Sequence, residues 1–192
     1  MGEAREPQAV NLVCPMLASR AEWLDAATEC IEAAFGPVDL VSETWPWPFS
    51  SYYEAEMGGP LLRRICSLRK LVAPDDIIDV KLRTNRMEEE LAQSLAPGGP
   101  PRPVNLDPGY VALSKMVLAT TKDYAHRLYL GRGIYAEVTL RWRHGGFEAC
   151  EWTYRDYATE EYREFFGLVR GLYVEKLGEG KRDHGEHEHE HE

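Results

Sequence analysis

The sequence has no run of the roughly 20 apolar residues that a helix needs to cross a bilayer. Its first residues, Met1 to Pro7, are polar and lack the apolar stretch of a secretory signal. Cytoplasm is the expected compartment, with no membrane partner. Positive charge is in short supply: Lys and Arg number 22 against 32 Asp and Glu, for a net charge of -10. That balance argues against broad binding to nucleic acid or anionic lipid, although a local basic patch would survive it. Cysteine is scarce too. Cys14, Cys30, Cys66 and Cys150 form no CxxC pair, so reduced and mostly buried thiols are expected. Familiar catalytic motifs are missing. There is no GxxxxGK(S/T) phosphate loop, no GxGxxG opening a helix, no HExxH and no GxSxG. These absences exclude the familiar classes, not catalysis as such.

What is present reads as one globular domain over residues 1–177. Composition is ordinary, with 44% hydrophobic and 28% charged residues. A chain of 192 residues can bury a core without disulfides or a structural metal. Residues 178–192, GEGKRDHGEHEHEHE, hold no apolar side chain and are expected to be disordered. Four of the six histidines lie there, and an appended tag explains them as well as loose metal binding does.

Ala9 to Leu17 reads as a buried strand. Ser19 and Glu22 make a capping box for a helix whose apolar face includes Trp23, Leu24, Ala27 and Ile31. Gly36-Pro37 stops it, and Val38 to Thr44 reads as a strand, giving a βαβ-like opening. Leu61 to Val72 fits a strand imperfectly. Pro74-Asp75-Asp76 announces a second helix with Ile77, Val80, Thr84, Met87 and Leu91 inward, and Lys81, Asn85 and Glu88 on the neighbouring stripe. Asp107-Pro108 could start a helix, yet the β-branched residues after it favour a strand. His126 to Leu140 is a hairpin about Gly131-Arg132-Gly133, with Ile134, Ala136, Val138 and Leu140 expected on one face. A last helix follows Thr159. The fold class expected is α+β: a mixed, mostly antiparallel sheet with helices packed against it.

Two segments carry functional candidates. The first is the loop TWPWPFSSYYEAEMGGP, with Trp45, Trp47, Phe49, Tyr52 and Tyr53. It could fold over a core edge, cover a ligand, or anchor a partner or second copy. The second is the polar run between Asn105 and Glu137. Polar groups beside apolar strands must be paired if buried. Asp107, His126 and Glu137 could ligate a divalent metal, the one cofactor left open, or His126 could act as a general acid or base tuned by a carboxylate. Lys81, Lys115, Lys122 and Arg127 could gather a phosphate or carboxylate, with Asn85 and Asn105 as neutral hydrogen-bonding members. The plainer alternatives are a hydrogen-bonded strand histidine, a Glu137–Arg127 salt bridge, and a turn or N-cap role for Asp107.

The segment VNLDPGYVALSKMVLATTKDYAHRLYLGRGIYAEVTL, Val104 to Leu140, resembles the prokaryotic domain-of-unknown-function family 4416. NLDPGY, ATTKDYAHR and GRGIYAEVTL occur in order. GPVDLVSETWPWPFSSYYEAEMG, Val80 to Glu88 and WTYRDY add weaker matches. WPWPF stands where a simpler F-x-F is expected. The resemblance implies a small bacterial or archaeal cytoplasmic protein and does not imply an activity. Two expectations follow: a site for a small anionic ligand, catalytic or not, or a non-catalytic module that self-associates or binds a protein through the loop at 45–53.

Overall fold

The computed structural model describes residues 2–185, with the backbone alone for 180–185. Strand β1 (Val10–Ala18) leads through helix α1 (Ala21–Phe35) to β2 (Val38–Val41). A short strand β3 (Trp45–Pro46) and helical turn α2 (Glu54–Met57) precede the long strand β4 (Leu62–Val72). After a 3-10 turn at Pro74–Asp76 come α3 (Ile77–Leu95), β5 (Val104–Leu106), β6 (Gly109–Val111) and β7 (Lys115–Thr120). The hairpin strands β8 (Leu128–Gly131) and β9 (Ile134–Arg143) follow, then β10 (Gly146–Ala149) and α4 (Glu160–Gly185).

The sheet runs β10-β9-β7-β6-β1-β4-β2, with β5 also on β1, β3 on β4 and β8 on β9. Every pairing among the described residues is antiparallel. The βαβ-like opening is therefore split. β1 and β2 run the same way, with β4 inserted between them and paired to both.

All nine residues of β1 are buried because helices cover both faces of the strand. Leu12, Cys14, Met16 and Ala18 face α1 and α3, together with Leu24, Ile31, Val80 and Met87. Val13 faces the other way, joining Ile65, Met116, Phe165 and Phe166 under α4. The strand's odd and even positions thus feed two cores, as period-two geometry requires. Lys176 of α4 locks the second core by reaching Asp39 at 2.6 Å and the Leu68 carbonyl at 3.0 Å, and it also donates to Asn11. The helix continues past Gly178, into the segment expected to be disordered. Glu, Lys and Arg there are adequate helix formers. Residues 186–192 of that segment lie outside the described residues.

Other expectations also change. Ser19 does not cap α1, which starts one residue later after Arg20; its hydroxyl instead donates to the Met57 carbonyl at 3.0 Å and ties down the aromatic loop. Asp107 caps no helix. It sits in a gap between β5 and β6, giving its N–H to the Pro15 carbonyl at 2.9 Å. That gap explains a proline in a central strand: Pro15 has no N–H to offer, and its neighbour leaves the ladder at the same level. Gly109 resumes the ladder where a Cβ would come within 2.1 Å of the Val117 carbonyl oxygen, so only glycine fits. In β9, Met116 opposes Leu140 but Val117 opposes Val138, leaving Thr139 as an extra residue. This bulge turns Leu140 away from the face of Ile134: Ile134 joins the first core and Leu140 the second.

Candidate functional site

A cleft of about 650 Å³ opens where β1 and β7 end and β4 begins. Its size is that of a pocket for a small organic molecule. The aromatic loop and the polar run, separate candidates in the sequence, line it together. Trp47, Phe49, Tyr52 and Tyr53 come from the loop, while Lys81, Asn105, Asp107, Lys122, Arg127 and Glu137 come from α3, β5, the turns and β9. The segment before α4 closes the far side with Trp152 to Tyr157.

The loop is held from below. Trp47 is buried with Leu17, Met57 and Leu61, and Tyr53 packs on them. The Trp47 indole N–H donates to Asp156 Oδ2 at 2.9 Å. That same oxygen accepts from Arg63 Nη2 at 2.9 Å. Arg63 is only 2% exposed and lies between the rings of Trp47 and Tyr157, with centroids 5.9 and 5.6 Å from its guanidinium carbon. Its Nη1 is 3.5 Å from Asp107 but makes no hydrogen bond, and Nε and the Tyr157 hydroxyl are also unpartnered. Burial pushes the Tyr157 phenol well above its ordinary value, with Arg63 pulling the other way.

Asp107 is itself held by Asn105 Nδ2 at 2.6 Å, and Arg102 donates to Asn105 while pairing with Glu88 at 3.0 Å. Burial raises the Glu88 carboxyl above the usual range, against the pull of Arg102 and Lys81. Lys81 is 5% exposed, and its ammonium donates to the Leu106 carbonyl at 2.9 Å. No carboxylate pairs with it among the described residues.

On the opposite wall, Glu137 Oε2 accepts from Arg127 Nε at 2.8 Å and lies 3.0 Å from His126 Nε2, while Thr139 donates to Oε1 at 3.3 Å. Arg127 also donates to the Tyr154 hydroxyl at 2.7 Å. The His126 ring stacks on Trp152 at 5.5 Å, nearly parallel, and the Trp152 N–H donates to the Val138 carbonyl at 2.8 Å. His126 thus stands behind the wall and does not face the cleft.

The geometry sorts the sequence candidates. The expected Glu137–Arg127 bridge is present. Asp107, His126 and Glu137 do not converge as a metal set: Asp107 belongs to the Arg63 network and the other two to the Arg127 network. No group of three His, Cys, Asp or Glu side chains suited to a metal occurs among the described residues. Asn85 is half-buried on α3 and is not part of the cleft wall. Lys115 opens β7 at the end remote from Thr120, opposite Arg141. Four charged lining residues escaped the sequence reading: Arg63, Arg102, Arg155 and Asp156. Arg63 had a signal, since it lies two residues before buried Ile65, on the same face. Asp156 had none beyond its place in WTYRDY.

The sequence profile of the family described as Domain of unknown function (DUF4416) matches residues 8–173. The chain belongs to that family. No curated protein and no solved structure matches it. The segments that carry the family resemblance are those that meet at the cleft. NLDPGY supplies Asn105 and Asp107, ATTKDYAHR supplies Lys122 and Arg127, and WTYRDY supplies the far wall. No helix among the described residues is long and apolar enough to cross a membrane.

Proposed function

We propose that the cleft binds a small anionic molecule bearing phosphate or carboxylate. The observation that carries this reading is unbalanced positive charge. Six cationic side chains line the cleft against three carboxylates, in a chain whose net charge is -10. Those carboxylates are already engaged, Asp107 and Asp156 by Arg63 and Glu137 by Arg127. Lys81 has no carboxylate partner, and the exposed Lys122 and Arg155 have no ion pair among the described residues. A buried ammonium with no carboxylate in direct contact is only partly compensated, and an anion placed against it adds to that compensation.

Binding is favoured over turnover. Both oxygens of Glu137 are occupied and His126 faces Trp152, so neither is free to move a proton at a ligand. Docking through the aromatic loop is the weaker reading, because Trp47 and Tyr53 turn into the core and leave chiefly Phe49 and Tyr52 outside.

Thermal unfolding of the full chain with inorganic phosphate, simple phosphate monoesters and dicarboxylates tests the proposal. A ligand at 100 times its Kd adds about 2.7 kcal/mol. For a domain of this size that raises Tm by roughly 5–10 °C. The shift should largely vanish in Lys122→Gln combined with Arg155→Gln. Flat melting curves across the panel, or a shift indifferent to those substitutions, would refute it.

A further inference from the structure

Resting on the anion reading above, the geometry points to the other half of the ligand: a flat aromatic or heteroaromatic ring carrying a doubly charged acid group. Volume gives the first argument. A bare inorganic anion would leave most of a cleft of about 650 Å³ empty. The second is the character of the walls. Seven lining residues are aromatic, against three aliphatic ones, Leu17, Leu118 and Ala119. Flat π faces and guanidinium planes favour a flat partner over a branched one.

The third argument is what remains uncovered. Tyr52 is 71% exposed, Tyr154 52% and Trp152 41%, although all three line the cleft and the rings behind them are packed. Two of them are oriented by polar contacts, and Tyr52 only by a neighbouring ring. The Tyr154 hydroxyl is held by Arg127, the Trp152 indole by Val138 and His126, and Tyr53 sits edge-on to Tyr52 at 5.1 Å. Rings held in place but left wet form a ready stacking surface, since little ordering is lost when a ligand arrives. The charge of the acid group follows from the cations left over. Lys81, Lys122 and Arg155 lack carboxylate partners, which suits a dianion such as a phosphate monoester better than a single carboxylate.

Isothermal titration of the full chain with four probes separates the two halves: 1-naphthyl phosphate, cyclohexyl phosphate, inorganic phosphate and 1-naphthol. Naphthyl phosphate should bind at least about tenfold more tightly than each of the others, a margin that two or three stacked faces supply. Tyr52→Leu, on the exposed part of the loop, should narrow the margin of naphthyl over cyclohexyl phosphate, with Trp152 and Tyr154 carrying what remains, while the affinity for cyclohexyl phosphate changes little. Equal affinity for the naphthyl and cyclohexyl esters overturns the ring inference and leaves the anion reading standing. Equal affinity for naphthol and naphthyl phosphate, or no binding by any probe, overturns the anion reading itself.

Discussion

Asp156→Asn keeps the shape of the side chain and removes its charge from beneath the aromatic loop. The side chains of Arg63 and Asp156 are 3% and 5% exposed, so the guanidinium has little water to turn to. Removing one partner of a buried pair costs about 3–5 kcal/mol. Asp107, 3.5 Å from Arg63, keeps part of the compensation, which places the expected loss near the lower figure. About 3 kcal/mol corresponds to a fall in Tm of roughly 6–12 °C for a domain of this size. Calorimetry and urea unfolding should agree on it, with an unchanged urea slope. The decisive control is Arg63→Met in the same chain. If the loss comes from a stranded charge, the double variant should be more stable than the sum of the single effects by at least about 1.5 kcal/mol. A fall below about 3 °C, or strict additivity, would show that Arg63 is not held as described.

Further outcomes are expected. Gly109→Ala should cost more than about 3 kcal/mol in urea unfolding, because the new Cβ meets backbone of β7 and cannot turn aside. Lys176→Met should cost about 3 kcal/mol by stranding Asp39, whose Oδ1 already lacks a partner, and adding Asp39→Asn should restore part of the loss. Glu88 has a raised carboxyl, so the folded state holds its proton more tightly than the unfolded chain. Its contribution to stability therefore declines as pH rises through the folded value. Glu88→Gln should gain on the parent between about pH 4 and neutrality in urea melts, and parallel pH profiles would refute this.

Much of the fold could be read from local pattern. The α3 stripe of Ile77, Val80, Thr84, Met87 and Leu91 is buried as its spacing predicts, and the hairpin turns at Gly131-Arg132-Gly133. The misses come from what periodicity does not encode. A bulge at Thr139 changes the face of Leu140 without altering the alternation of residue types. Ser19 carries a capping signature, but its hydroxyl bonds to a carbonyl 38 residues away. For the site, sequence picked out Asn105, Asp107, Lys122, Arg127 and Glu137 as polar residues in a run beside apolar strands, and Lys81 from the polar stripe of α3. Asn85 shares the helix stripe of Lys81 and Lys115 lies beside an apolar strand, yet neither lines the cleft, since polarity does not say which end of an element faces it. Nor could it show that the loop at 45–53 would face the same cleft. That depends on β4, which β3 joins at Trp45 and Arg63.

The placement of β1 has a consequence for synthesis on the ribosome. This apolar strand emerges before its hydrogen-bonding neighbours β4, β5 and β6, which begin at Leu62, Val104 and Gly109. At cellular rates of roughly 5–20 residues per second, β1 waits about 2–9 seconds for its first partner. Its second face waits longer, until α4 delivers Phe165, Phe166 and the Tyr173 hydroxyl that reaches back to Ala9 at 2.6 Å. Throughout that interval Val10–Ala18 is an open edge of the kind that chaperones shield, and translation speed across residues 19–62 becomes a determinant of yield.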